Sequence, residues 1–261
     1  MTWAMKRQSF YLLVVVLFFG VFGFLIAYPA FQKEPTCFDN KQNGAETGVD
    51  CGGLCLRACL AQVDPVSLLW TRAFRVVPGR YNAVAYLENQ NRNAAVVGQI
   101  KYRFRFADAN NVYIGKREGS TFIPPSGRFA IFEPGVDVGS SIPVYTTFEF
   151  TEVPNWVTIS QEKIDQLKVS VSEIILRGED TSPVLSAVVK NNSFFIIPEI
   201  DVVVILYDAS GNAISASRTY LDKLSPEEAE DIHFTWPEPF FGKVIAKEII
   251  PMYNIDLVKL K

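Results

Sequence analysis

The sequence predicts an all-β body of two tandem β-sandwiches, carried behind an N-terminal transmembrane helix and a small disulfide-rich module. Three observations predict it. Residues 10–27 read FYLLVVVLFFGVFGFLIA, with no charge. All four cysteines fall between Cys37 and Cys59. Beyond Asp64-Pro65, short β-rich runs alternate with turns rich in Asn, Asp, Gly and Pro, the pattern of a sandwich or barrel.

The apolar run covers roughly 27 Å as a helix, close to the hydrocarbon thickness of a bilayer. With Tyr28 it gives a span at 10–28, preceded by a short tail at 1–9 that carries Lys6 and Arg7. Only Lys33 and Glu34 follow closely. The positive-inside rule then places the N-terminus in the cytoplasm and the rest outside. A cleaved signal peptide is the competing reading. Its apolar stretch is usually about 7–15 residues with an A-x-A-like exit; this run is longer and leaves as Ile26-Ala27-Tyr28-Pro29. A pilin-like leader would want Gly before a Phe-start helix with an early Glu, and Ser9-Phe10 does not supply it. Gly20 and Gly23 would permit close helix contact, although their spacing is a weak signal.

Composition excludes several functions. The 261 residues are 49% hydrophobic and 13% aromatic, enough for a sizeable core and unlike a disordered chain. A formal charge of −3 is wrong for a polybasic nucleic-acid binder. A single histidine, His233, excludes multi-His metal sites and most His-dependent triads.

Cys37, Cys51, Cys55 and Cys59 mark a module at 35–60. Their spacing suits two disulfides in an oxidising compartment, with three pairings open; a four-thiolate zinc site is the rival. Asp39, Asn43, Glu46 and Asp50 stand among Gly44, Gly48, Gly52 and Gly53. Oxygen ligands on a Gly-rich loop suit calcium, and the same residues equally suit plain turns. The pattern C-x-D-x₃-N-x₂-E-T-x-V-D-C-G-G-x-C, carried by Glu46–Gly53 above all, resembles a short cysteine module of secreted and surface proteins. That resemblance implies an extracytoplasmic address and no activity.

Strands are expected at 68–77, 83–88, 98–106, 112–117, 145–150, 168–176, 185–189, 201–207, 213–220, 231–235 and 242–250. No segment after Pro29 shows a long 3.6-residue apolar period, which disfavours parallel α/β folds. Lys101-Tyr102-Arg103-Phe104-Arg105-Phe106 alternates cation and aromatic, so on a strand the rings face the core and the cations face water. Stacking on nucleic acid would need both on one face. Val202–Leu206 is apolar throughout, as a strand covered on both sides would be.

An internal repeat sets the domains. Leu87-Glu88-Asn89-Gln90-Asn91 matches Val189-Lys190-Asn191-Asn192-Ser193, Asp108 matches Asp208, and Phe122-Ile123-Pro124-Pro125 parallels Lys223-Leu224-Ser225-Pro226. The offsets of 102, 100 and 101 suggest duplication into sandwiches at 65–160 and 167–258. Beyond Gly127 the similarity drifts, which suggests an insertion at 129–143 in the first copy. Each copy has the size of an immunoglobulin-like domain. Val204-Ile205-Leu206-Tyr207-Asp208-Ala209-Ser210-Gly211 with Leu224-Ser225-Pro226-Glu227-Glu228 resembles the FxLYD-type immunoglobulin-like domain; Val204 replaces its Phe and Glu227 its turn Gly. Phe104–Asp108 is a looser echo. The resemblance implies a sandwich in single-pass envelope proteins, without a catalytic site.

Residues 65–160 hold ten Lys/Arg and seven Asp/Glu, net +3, against nine and fourteen, net −5, in 167–261. A basic first sandwich facing anionic surface polymer or headgroups would fit this, as would ordinary scatter. Trp236-Pro237-Glu238-Pro239-Phe240-Phe241 either closes the second sandwich or offers a contact patch. Asn191-Asn192-Ser193 is a glycosylation sequon. No phosphate-binding Gly loop, nucleophile elbow or HExxH occurs. The expectation is a non-enzymatic, membrane-anchored extracytoplasmic protein: an adhesin, an envelope scaffold or the ectodomain of a membrane complex, with an unknown protein or surface-polymer partner, no nucleic acid and no cofactor. The alternatives are a calcium-dependent accessory or sensor subunit and, more remotely, a surface hydrolase.

Overall fold

The computed structural model describes residues 3–31 and 35–259; Lys33 and Glu34, used in the charge argument above, lie outside them. Two compact units result, Met1–Gly53 and Leu54–Lys261.

In the first unit, α1 spans Trp3–Phe31. Its stretch Met5–Ile26 is long and apolar enough to cross a membrane, and none of it is buried by protein. A signal sequence passes the same length and composition test. Phe10, Leu12, Phe18, Phe19 and Leu25 are all more than half exposed. Such a helix has no polar face to offer water, so lipid is the solvent that suits it. At its start the Arg7 guanidinium lies 5.4 Å from the Trp3 ring and 5.7 Å from the Tyr11 ring. Amphipathic rings and a cation at one end suit a membrane–water boundary.

The second unit is all-β apart from short turns and one small helix. The first six strands are β1 (Ser67–Val77), β2 (Arg80–Asn89), β3 (Ala94–Ala107), β4 (Tyr113–Ile123), β5 (Gly127–Asp137) and β6 (Tyr145–Phe150). They form the sheets β1-β2-β5 and β4-β3-β6. A short β7 (Val157–Thr158) pairs with the start of β3. The helix α2 (Gln161–Gln166) follows, capped by the Ser160 hydroxyl. The next six strands repeat the plan: β8 (Val169–Arg177), β9 (Val184–Asn191), β10 (Ile197–Tyr207), β11 (Ala213–Leu224), β12 (Ala229–Thr235) and β13 (Ala246–Met252). Their sheets are β8-β9-β12 and β11-β10-β13, all pairings antiparallel. This is the tandem sandwich the sequence predicts.

One expectation fails. The stretch 129–143 is not an insertion. It holds most of β5, which pairs with β2 as β12 pairs with β9. Ala107 meets Tyr145 and Tyr207 meets Ala246, so the offsets of 100 and 101 continue to the last strand. Sequence similarity fades there because Pro134-Gly135 makes the edge strand β5 bulge opposite Asn82, whose Oδ1 accepts the Gly135 N–H at 3.1 Å. Proline is tolerated at such an edge bulge. The fold also settles the surroundings of Asn191. That residue is fully buried, and its Nδ2 donates to the carbonyls of Phe195, Leu224 and Ser225 at 2.8, 3.1 and 3.0 Å. The sequon is therefore closed in the folded chain.

The same corner recurs in the first copy. Asn89 is buried and donates to the carbonyls of Ala94 and Pro124 at 2.8 Å each. Asp108 Oδ1 accepts the N–H groups of Asn110 and Val112, as Asp208 Oδ1 accepts those of Ser210 and Asn212. These are Asx turns, which the chemistry of Asp favours. Ser126 and Glu227 sit at matching turns with φ of 58° and 60°, a conformation glycine favours.

The two sandwiches stack as four layers. Val202, Val204 and Leu206 enter the core between the sheets of the second sandwich. Val203 and Ile205 point the other way and join Val84, Tyr86, Ala130 and Phe132 of the first. Each of these β10 side chains is 0–1% exposed, and burying one contributes about 1.5–3 kcal/mol. The sheet β1-β2-β5 therefore packs face to face against β11-β10-β13. The uninterrupted apolar run in β10 reflects this double cover, as expected.

Candidate functional site

All four cysteines, Cys37, Cys51, Cys55 and Cys59, are disulfide-bonded, so they hold no thiolate zinc. Within residues 35–53 the backbone turns on Gly52 and Gly53, with φ of 70° and 60°. A Cβ at Gly53 would lie 1.7 Å from the Ala45 carbonyl oxygen, which explains a glycine there. The four candidate calcium ligands belong to one hydrogen-bonded set of turns, but the Asp39, Glu46 and Asp50 carboxylates do not converge on a common point among the described residues. Asp50 Oδ1 accepts the N–H of Asp39 and Asn40 at 2.9 and 3.1 Å. Asn43 Nδ2 donates to Asp39 Oδ2 at 2.8 Å and holds that carboxyl below the usual range. Glu46 Oε2 accepts the N–H of Asn43 and Asp50 at 3.4 and 3.3 Å. These carboxylates cap turns. One oxygen, Asn43 Oδ1, is buried without a hydrogen-bond partner.

In the second unit, Leu56–Ala58 extends the first sandwich: Thr158 N–H donates to Leu56 O, and Ala58 N–H to Trp156 O. Cys55 and Cys59 are buried there.

The alternating strand β3 behaves as its sequence predicts. Tyr102, Phe104 and Phe106 are buried. Outside, Lys101 pairs with Glu152 at 2.6 Å, Arg103 with Glu118 at 2.6 Å, and Arg105 with Glu149 at 2.9 Å. Each cation of the motif thus already meets a carboxylate from a neighbouring segment. His233 is exposed on β12, its Nδ1 3.2 Å from Ser186 Oγ on β9, directly opposite in the ladder. In the loop after β12, Trp236 is buried with Phe240 against its ring at 5.2 Å. Glu238 pairs with Arg75 at 3.2 Å, and Arg75 lies 5.7 Å from the Phe241 ring. That loop closes the second sandwich and clips it to the first.

Sequence reading missed the seam between the sandwiches. Glu248 on β13 accepts from Tyr86 of β2 through Oε1 and from Tyr207 of β10, at 2.8 Å, through Oε2. Burial, then the Glu248 carboxylate, pushes the Tyr86 phenol up to about 12 and the Tyr207 phenol up further. Arg218 lies 5.9 Å from the Phe132 ring and 3.7 Å from Asp201.

Beside this seam a cleft of about 440 Å³ opens, lined by Gln99, Ser120, Phe122, Glu199, Asp201 and Tyr220 among others. A bulge shapes one wall, where the β3–β4 register slips between Val96 and Ile100; on the other wall the β10–β11 ladder keeps one register from Ile197 to Leu206. Glu199 has φ of 51°. Asn254 Nδ2 donates to Val97 O at 2.7 Å and ties the C-terminal turn to the β3 bulge. Burial raises the Asp201 carboxyl against the pull of Arg218. Tyr220 is raised by desolvation and by Glu199, Asp222 and Asp201. The signals for this cleft were two acids, Glu199 and Asp201, spaced two apart in an apolar strand; nothing in the sequence placed Gln99 or Ser120 beside them.

No family model and no curated protein matches the chain. Among solved structures, red sea bream transglutaminase is 8% identical, with a TM-score of 0.24, over 74% of this chain and 31% of that one. A putative β-galactosidase from Bacteroides fragilis is 14% identical, with a TM-score of 0.23, over 68% and 33%. A β-glucuronidase of glycoside hydrolase family 2 is 9% identical, with a TM-score of 0.23, over 85% and 29%. The chain spans about a third of the length of these proteins, and at such scores they carry no argument about its activity.

Proposed function

We propose that this chain is a membrane-anchored, extracytoplasmic binding or structural protein without catalytic activity, built from a duplicated sandwich of the FxLYD type. The observation that carries the reading is α1, whose stretch Met5–Ile26 is long and apolar enough to cross a membrane and is not buried by protein, in the same chain as four disulfide-bonded cysteines. Lipid suits the first and an oxidising compartment suits the second. Lys6 and Arg7 before the span favour a cytoplasmic N-terminus. The non-enzymatic reading draws support from His233, which sits in the open with a serine hydroxyl as its partner.

Protease treatment of intact cells tests the topology. The sandwiches should be cut or shaved from intact cells while a cytoplasmic control survives. Sandwiches that survive until lysis would overturn the reading.

A second reading makes the module a calcium-dependent element of an accessory subunit. It is supported by Asn43 Oδ1, buried and unpartnered beside Asp39 and Glu46. Calorimetric titration of the purified chain with calcium decides it: no heat and no thermal shift removes it.

A further inference from the structure

We propose that the cleft between the two sandwiches is a binding site for a neutral saccharide unit. The proposal deepens the binding role above by naming a ligand class. About 440 Å³ is within the usual range of small-ligand sites. Its lining offers both halves of the hydrogen-bonding a polyol needs. Glu199 and Asp201 accept; Tyr220 and Ser120 carry hydroxyls; Gln99 carries an amide. Ser120 Oγ donates to Gln99 Oε1, which leaves the Gln99 amide hydrogens free for a ligand. Glu199 makes no ion pair, and Tyr220 Oη no hydrogen bond, among the described residues. Phe122 and Tyr220 supply ring surface for the C–H face of a pyranose.

The charge pattern selects among ligands. An anion finds no free cation, since Arg218 is held by Asp201. A cation finds only Glu199 uncompensated and leaves the amide and hydroxyls unused. A neutral sugar uses them all. The backbone points the same way. Glu199 adopts φ of 51°, where glycine fits without strain, yet the position carries a carboxylate facing the cleft. Its counterpart in the first copy, 101 residues earlier, is Gly98 on the opposite wall, and a Cβ there would meet nothing within 4 Å. One copy thus opens space where the other presents an acceptor.

The test uses the full chain in a detergent without a sugar headgroup, such as lauryldimethylamine oxide. Saturation-transfer NMR is run with maltose, cellobiose and N,N′-diacetylchitobiose, and with spermidine and inorganic phosphate as charged controls. At least one disaccharide should receive saturation. Glu199→Gln should weaken its binding about tenfold, the cost of one charge-assisted hydrogen bond. Gly98→Leu should fill the cleft and abolish binding while the melting temperature holds. Saturation of spermidine or phosphate alone, or of no probe, overturns the proposal, as does disaccharide binding that both variants leave unchanged. The measurement is indifferent to which side of a membrane the sandwiches occupy, so its failure and the failure of the topology are told apart.

Discussion

The Tyr86 hydroxyl of the first sandwich donates to the Glu248 carboxylate of the second. Tyr207 takes the other oxygen of that carboxylate. One half-buried acid therefore serves a strand from each sandwich, beside a layer otherwise filled by Val84, Phe132, Val203 and Ile205. Apolar burial glues the layer, and the shared carboxylate fixes its register.

The seam should make alkaline pH destabilising. Both phenols are raised above the unfolded value near 10, Tyr86 to about 12. A raised folded-state pKa gives stability that is complete below the unfolded pKa and is lost as pH climbs through the folded one. Melting temperature should hold to about pH 10 and fall between about 10 and 12. The double variant Tyr86→Phe, Tyr207→Phe should flatten that fall. An unchanged slope would detach these phenols from the effect.

Ile205→Ala should cost about 2–5 kcal/mol, as a core substitution would, although Ile205 points away from the core of its own sandwich. Denaturant unfolding should remain a single transition, because the two cores share β10. Two separated transitions would mean that the sandwiches unfold independently.

Asn191→Ala should cost about 3 kcal/mol, since its two amide hydrogens serve the buried Leu224 carbonyl and the half-buried Phe195 and Ser225 carbonyls, and a stranded buried group costs about 1–3 kcal/mol. Chain purified folded from a glycosylating host should carry no glycan at Asn191. Mass spectrometry and a glycosidase mobility shift check this.

Glu227→Gly should stabilise by about 0.5–1 kcal/mol. Glu227 holds φ of 60°, and relief of the left-handed strain exceeds the entropy glycine adds to the unfolded chain. The Lys190–Glu227 pair lost is exposed, at 3.4 Å, and contributes little. Thermal melting decides the sign.

Reduction of the disulfides should lower stability by about 2–5 kcal/mol. Melting with and without a thiol reductant reads the change.

The sequence by itself determined what rests on local pattern. Residues 10–27 announce their helix because no side chain there tolerates water. Lys101–Phe106 sorts its rings from its cations because strand geometry alternates faces. The paired asparagines 89 and 191 mark equivalent corners because each must satisfy the same turn. The disulfide-bonded state followed from spacing and composition. The tertiary structure alone decided what lies far apart in the chain. β5 stayed hidden because Pro134-Gly135 breaks the period that a strand normally shows, and only its pairing with β2 restores it. The sequon at Asn191 is a three-residue pattern, and only the fold shows its side chain spent on backbone carbonyls. The cleft and the Glu248 seam join residues more than 70 positions apart; no periodicity records such a meeting, because packing of whole sheets brings it about.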